Sequence, residues 1–206
     1  RLPNWLGDVL MARPLLHGLR RGHPGAEIRA ICDIVPETVT RNQDAVEKAG
    51  QPRPTGYDRG PEDFKRLCQQ EDLDLVFTAT PWELHVPVCV AAMQAGKHAA
   101  TEVPAAITVE DCWRLVETAE KQHRHCVMVE NCCYDRAEMM VLNMVRKGLF
   151  GELLHAECGY LHDLRGYQFL PQKSWILAHS RKRNCNEYPT HGLGPVAWYF
   201  GIHRGD

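Results

Sequence analysis

The chain has 206 residues, a net charge of −2 and 24% charged side chains, the balance of a folded globular protein rather than a disordered or fibrous one. Its 24 Lys and Arg against 26 Asp and Glu leave no basic excess to neutralise a phosphate backbone, so nucleic acid is not expected as a partner. No apolar run approaches the ~20 residues of a membrane-spanning helix, and no membrane association is expected. The first residues, Arg1-Leu2-Pro3-Asn4, carry neither an initiator methionine nor a signal-peptide pattern, and are read as starting part-way into a longer protein.

Residues 9–21 read as a helix disturbed by Pro14. Glu27 to Asp33 is a short apolar run ending in an acid, a strand. Pro36 to Ala49 reads as a helix closed by Gly50, residues 51–60 as a loop, and Pro61 to Gln70 as a helix with proline at its start. Leu73 to Ala79 is the clearest strand; Thr80-Pro81 stops it, and a helix runs on through Val88-Cys89-Val90 to Gly96. His98 to Thr101 is a short strand, and Thr108 is the expected N-cap of a helix reaching Lys121. Cys126 to Val129 is a strand, and Arg136 to Lys147 a helix closed by Gly148.

This alternation predicts an α/β fold: a Rossmann-like, doubly wound parallel sheet over residues 1–150 that lacks a clear first strand. After Gly151 the texture changes. Glu152 to Leu164 reads as extended and opens a second, incomplete α/β domain over residues 151–206. Residues 165–187 read as polar and irregular, and Gly192 to Ile202 as a short apolar helix in which Thr190 caps the start.

Nine cysteines are present and none forms a Cys-x-x-Cys pair, so no structural metal site is expected. Most fall in apolar patterns and read as buried free thiols, which suit a reducing, cytoplasmic compartment.

In a doubly wound sheet the ligand lies beyond the C-terminal strand ends. Asp33 stands at one such end, where a carboxylate can accept hydrogen bonds from ribose hydroxyls and repel a 2′-phosphate. Trp82, Glu83, Leu84 and His85 follow the next strand, Glu102 and Val103 the one after, and Asn131 and Tyr134 the last. Each alone is more economically a cap or a solvated charge; their recurrence at successive strand ends points to one crevice. The glycine fingerprint of dinucleotide sites is missing, since Trp5 to Met11 holds only Gly7. Tyr188-Pro189-Thr190-His191-Gly192-Leu193-Gly194-Pro195 offers a base and hydroxyl donors near a helix start, though its spacing alone fits a loop entering a helix.

Several separated segments together resemble a known family. Ala79-Thr80-Pro81-Trp82-Glu83-Leu84-His85, Ala95-Gly96-Lys97-His98 and Glu102-Val103-Pro104 resemble the Gfo/Idh/MocA oxidoreductases. Glu130-Asn131-Cys132-Cys133-Tyr134, Gly148-Leu149-Phe150-Gly151-Glu152, Cys158-Gly159-Tyr160 and the Tyr188 to Pro195 stretch are similar to glycoside hydrolase family 109. That resemblance implies NAD as cofactor, held by Asp33, Trp82, Glu83, Leu84, His85, Glu102, Val103 and Asn131. It implies a glycan substrate, terminal alpha-N-acetylgalactosamine, held by Tyr160, Tyr188, Pro189, Thr190 and His191, with His191 and Tyr134 as the proton-transfer residues. The implied cycle oxidises the sugar at C3, eliminates the glycoside, adds water and reduces the ketone. It needs no pair of catalytic carboxylates. A homo-oligomer built through a C-terminal sheet is also implied.

Two departures bear on activity: the missing glycine turn, and Ile176 beside Trp175 where the family pattern has an arginine. They motivate an alternative, an inactive nucleotide-binding or regulatory relative. A sugar dehydrogenase of the wider superfamily is the other alternative. Val103, in place of the lysine such enzymes usually carry, speaks against it.

Overall fold

The computed structural model describes residues 22–163, 165–166 and 174–202. The helix expected over 9–21 and the place of the glycine turn lie outside the described residues. The chain divides into two compact units, one of residues up to Thr101 with Ala106–Val127, the other of Glu102–Ala105 with the residues from Met128 onward.

In the first unit β1 (Ala30–Cys32), α1 (Pro36–Lys48), β2 (Thr55–Tyr57), α2 (Asp63–Gln70), β3 (Leu75–Thr78), α3 (Trp82–Gln94), β4 (His98–Thr101) and α4 (Val109–Gln122) follow in order, then β5 (Cys126–Met128). Strand β1 pairs in parallel with β2, Ala30 opposite Thr55, and β3 pairs in parallel with β4, Leu75 opposite His98. The strands form two sheets, β1-β2 and β3-β4-β5. A doubly wound sheet runs in the order 3-2-1-4-5-6, so these are its two flanks. Among the described residues no strand fills the central position, which is why the sheet reads as two pieces.

Helix α3 is apolar nearly all round because it is buried nearly all round: Trp82, Val86, Val88, Cys89, Val90, Ala92 and Met93 are all below a tenth exposed. Helix α4 lies at the surface, with only Leu115 buried. Thr108 caps it as expected, accepting a 3.1 Å hydrogen bond from Asp111 N. Tyr57, Phe64, Leu67 and Cys68 fill the core beside α2.

The segment read as a loop over 51–60 contains β2. Three residues around Gly56 carry no alternating apolar signal, and pairing with β1 decides the conformation. A Cβ at Gly56 would sit 2.9 Å from both Val39 and Gln43 side chains, so the close approach of α1 requires glycine there.

The second unit holds a 3-10 turn (Asn131–Tyr134), then α5 (Arg136–Arg146), α6 (Ser174–Lys182) and α7 (Pro189–Tyr199). Residues 152–163, expected to be extended, join no sheet and are mostly exposed. A strand needs a partner edge, and none of the described residues supplies one. Helix α6 lies within the stretch read as irregular. Helix α7 begins at Pro189, not Gly192, and Thr190 does not cap it. Tyr199 Oη donates to the Glu138 carbonyl at 3.1 Å, tying α7 to α5.

The cysteines are all unpaired, but Cys112, Cys158 and Cys185 are exposed, correcting the expectation of general burial.

Candidate functional site

The second unit gathers its candidates around a residue the sequence reading quoted but did not single out. Glu130 ends the segment after β5 and is 8% exposed. Its Oε1 lies 2.6 Å from His191 Nδ1, and its Oε2 accepts from Thr190 Oγ1 at 2.5 Å. Oε1 also accepts from Cys132 N at 2.9 Å. The carboxylate therefore sits at the first turn of α7, where the helix dipole favours negative charge. With Glu130 ionised, Nδ1 carries the imidazole proton and Nε2 is left as a base.

His191 is 8% exposed, and two tyrosines enclose it. The Tyr188 ring stacks on it at 5.1 Å with a 10° interplanar angle, and the Tyr160 ring is tilted against it at 4.5 Å. Two glycines permit this packing. A Cβ on Gly192 would come within 3.0 Å of Cys158 Cβ, where the chain carrying Tyr160 passes. A Cβ on Gly194 would stand 2.6 Å from Cys133 Sγ. Glu130 was legible as an acid beside Asn131 at a strand end, but only folding shows that His191, 61 residues on, is its partner.

Asn131 joins this group through the 3-10 turn. Its Nδ2 points a weak 3.8 Å hydrogen bond at Cys132 Sγ, and its Oδ1 is buried without a partner. An orphaned buried acceptor fits a donor brought by a ligand. Tyr134 is not brought into this cluster: it is 67% exposed, and its ring packs edge-on to Trp198 at 5.3 Å. Pro189 is exposed at the α7 start. Val103 is buried and Glu102 half-buried, on either side of which the chain leaves β4 and enters the cis Val103–Pro104 bond. Ile176 is buried in α6.

In the first unit Asp33 follows β1 and is 5% exposed. Its Oδ1 accepts from Val35 N at 2.8 Å, which fixes the entry to α1. Burial raises its carboxyl above the usual range, against the Val35 amide and Arg41. In the first turn of α1, Thr38 Oγ1 is a second buried polar atom without a partner. Trp82 and His85 are buried, Leu84 is half-buried and Glu83 exposed. His85 Nε2 lies 2.8 Å from the Thr80 carbonyl, so it also holds the turn that enters α3. Within this unit the orphaned Oγ1 of Thr38 and the buried Asp33 carboxylate fit the hydroxyls of a dinucleotide.

The parallel flanks and the strand-end residues define a Rossmann-type dinucleotide-binding protein. Residues 8–131 match the model of the oxidoreductase family with an NAD-binding Rossmann fold, and residues 134–206 match the C-terminal domain of glycosyl hydrolase 109. The chain belongs to the Gfo/Idh/MocA oxidoreductase family, and its C-terminal part is similar to glycosyl hydrolase family 109.

It is 48% identical over 188 residues to an alpha-N-acetylgalactosaminidase of Bacteroides fragilis, covering 88% of this chain and 44% of that protein. The chain thus spans less than half the length of the curated relatives it matches. Among solved structures it resembles the WlbA dehydrogenase of Chromobacterium violaceum in complex with NADH and UDP-GlcNAcA. That likeness has a TM-score of 0.54 at 27% identity, over 68% of this chain and 38% of the other. The fold also matches myo-inositol 2-dehydrogenase of Lactobacillus plantarum, TM-score 0.69 at 14% identity, over 86% of this chain and 49% of that one.

Proposed function

We propose that this chain serves an NAD-dependent glycosidase acting on terminal alpha-N-acetylgalactosamine. The observation that carries the reading is the buried Glu130–His191 pair beneath two tyrosine rings. Nicotinamide, when bound, supplies reversible hydride exchange with the sugar. The chain's own residues supply the rest. Glu130 holds the proton on His191 Nδ1, so Nε2 accepts the sugar's C2 proton once the neighbouring carbon is a ketone. Tyr188 and Tyr160 offer rings to the apolar face of a pyranose and hydroxyls to its oxygens. Thr190 keeps Glu130 oriented. Tyr134 remains assigned to proton transfer only by the motif it shares with the family. Asp33 is assigned to the ribose hydroxyls, Trp82, Glu83, Leu84, His85, Glu102 and Val103 to further NAD contacts, and Asn131 Oδ1 to a donor of the bound cofactor.

The test is release of p-nitrophenol from its alpha-N-acetylgalactosaminide by the purified chain, with and without NAD. NAD-dependent release supports the reading; no release with NAD present defeats it. The lone Gly7 in the stretch where a glycine fingerprint belongs favours a second reading, an inactive binding relative. Calorimetric titration with NAD separates the two, because saturable binding together with turnover rules out the second. Net NADH accumulation with a free sugar would mark a dehydrogenase instead, since the glycosidase cycle returns its hydride.

A further inference from the structure

Glu130, Cys132 and His191 each offer one metal-ligating atom, and these three atoms all lie within 4.8 Å of one another. This is the one such group among the described residues. We propose that the three form a binding site for a thiophilic divalent cation of the Zn²⁺ class, which competes with the proton held between Glu130 and His191.

The ligand chemistry suits the ion. Zn²⁺ takes mixed sulfur, nitrogen and oxygen donors at about 2.0–2.3 Å, which sets the donor-to-donor edges of a tetrahedron at about 3.3–3.6 Å. The 2.6 Å contact between Glu130 Oε1 and His191 Nδ1 must open by less than about 1 Å. The Cys132 sulfur, within 4.8 Å of both partner atoms, must close in to about 3.6 Å.

The supporting shell is already in place. Thr190 Oγ1 donates to the second Glu130 oxygen, Asn131 Nδ2 to the Cys132 sulfur, and the Tyr188 ring fixes the plane of the imidazole. Ligands oriented in this way hold metals better than mobile ones. Two of the three are buried, so the charge must close, and it does. Zn²⁺ with one carboxylate and one thiolate sums to zero. One proton leaves, from the Cys132 thiol. The imidazole proton passes from Nδ1 to Nε2, so the nitrogen that serves as base in the proposed reaction becomes protonated. Three protein ligands leave the fourth position to water.

The occupied site would switch the acid–base pair off, a consequence that rests on the proposed glycosidase reading; the binding itself does not. Co²⁺ is the probe, because thiolate ligation gives a sulfur-to-cobalt charge-transfer band in the near ultraviolet together with tetrahedral visible bands. One equivalent added to the reduced chain is expected to produce both, and one equivalent of Zn²⁺ to abolish them. The Cys132→Ser variant is expected to lose the charge-transfer band. Cys112→Ser, altered at an exposed thiol of the other unit, should keep it.

A band that survives in Cys132→Ser, or no band at one equivalent in the parent chain, overturns the site. Cys132→Ala repeats the test should the serine variant fold poorly. An inactive chain that still gives the cobalt spectrum defeats the glycosidase reading and leaves the metal site standing. In an active preparation, inhibition by micromolar Zn²⁺, reversed by a chelator and at least tenfold weaker in Cys132→Ser, is the expected companion result.

Discussion

Glu130 Oε1 and His191 Nδ1 stand 2.6 Å apart, and the same carboxylate accepts from Thr190 through its other oxygen. One buried acid thus satisfies two side chains on the first turn of α7. Replacing Glu130 by alanine leaves both without their acceptor. We expect a loss of about 1–3 kcal/mol, read from urea unfolding, the usual penalty for stranding buried polar groups. The imidazole should report the change as well. Nitrogen NMR is expected to show His191 protonated on Nδ1 in the parent and as a mixture of tautomers in Glu130→Ala. An unchanged tautomer would mean that Glu130 does not set it.

Gly194 and Cys133 form a second coupled pair. A methyl at 194 would meet the Cys133 sulfur at 2.6 Å, so Gly194→Ala should cost about 1–3 kcal/mol by overpacking. Alanine also gains about 1 kcal/mol of helix propensity over glycine. Once the sulfur is removed only the gain remains. Gly194→Ala is therefore expected to destabilise the parent chain and to be neutral or stabilising in the Cys133→Ala background. A double-mutant cycle on thermal unfolding measures this, and simple additivity would refute the contact.

Thiol reactivity separates the cysteines by environment. Cys112, Cys158 and Cys185 are exposed and should be alkylated first by iodoacetamide, while Cys68, Cys89 and Cys133 should wait for denaturant. Cys32 is the sharper case. It is half-exposed, yet burial, then the carboxylates of Asp63 and Asp33, push its thiol up to about 12. The thiolate is the nucleophile, so access without ionisation gives little reaction. Timed quenching and mass spectrometry at neutral pH should place Cys32 with the slow group, and labelling as fast as Cys112 would contradict the argument.

The local signals in the chain were strong where one segment decides its own conformation. Thr108 with acids behind it specifies a capped helix start, and the apolar run around Val76 specifies a strand that needs little help. They were weak where a partner decides. Strand β2 exists because β1 offers an edge, and residues 152–163 stay out of a sheet because none is offered. The site follows the same rule. Residue types near strand ends marked Asp33 and Asn131, and the tyrosine- and glycine-flanked stretch at a helix start marked His191, whereas Glu130 acquires its role from a contact across 61 residues that no local pattern encodes. Thr190 misled for a related reason: the helix begins one residue earlier, at Pro189, which places Thr190 inside its first turn, where its hydroxyl donates to the distant Glu130.

The ion pair of Asp63 and Arg66 should dominate the acid limb of stability in the first unit. Asp63 has a side chain only 4% exposed, and its oxygens accept from Arg66 Nε at 2.7 Å and Nη2 at 2.8 Å, and from Arg59 N at 3.0 Å. The guanidinium, first, and the Arg59 amide lower its carboxyl from 3.8 to about 2. Arg66 is held from the other side, its guanidinium 4.5 Å over the Tyr57 ring. The folded state therefore prefers the ionised acid more than the unfolded chain does. Its contribution is whole above the unfolded value of 3.8 and is lost as pH falls from there through about 2. Asp63→Asn should lower neutral-pH stability by about 1–3 kcal/mol, because the amide cannot answer the guanidinium fork with charge. The gap between parent and variant should narrow as the parent's own carboxyl is protonated. Urea midpoints taken from neutral pH down to about pH 2 test this, and a gap that stayed constant across that range would show that the pair contributes through packing and not through charge.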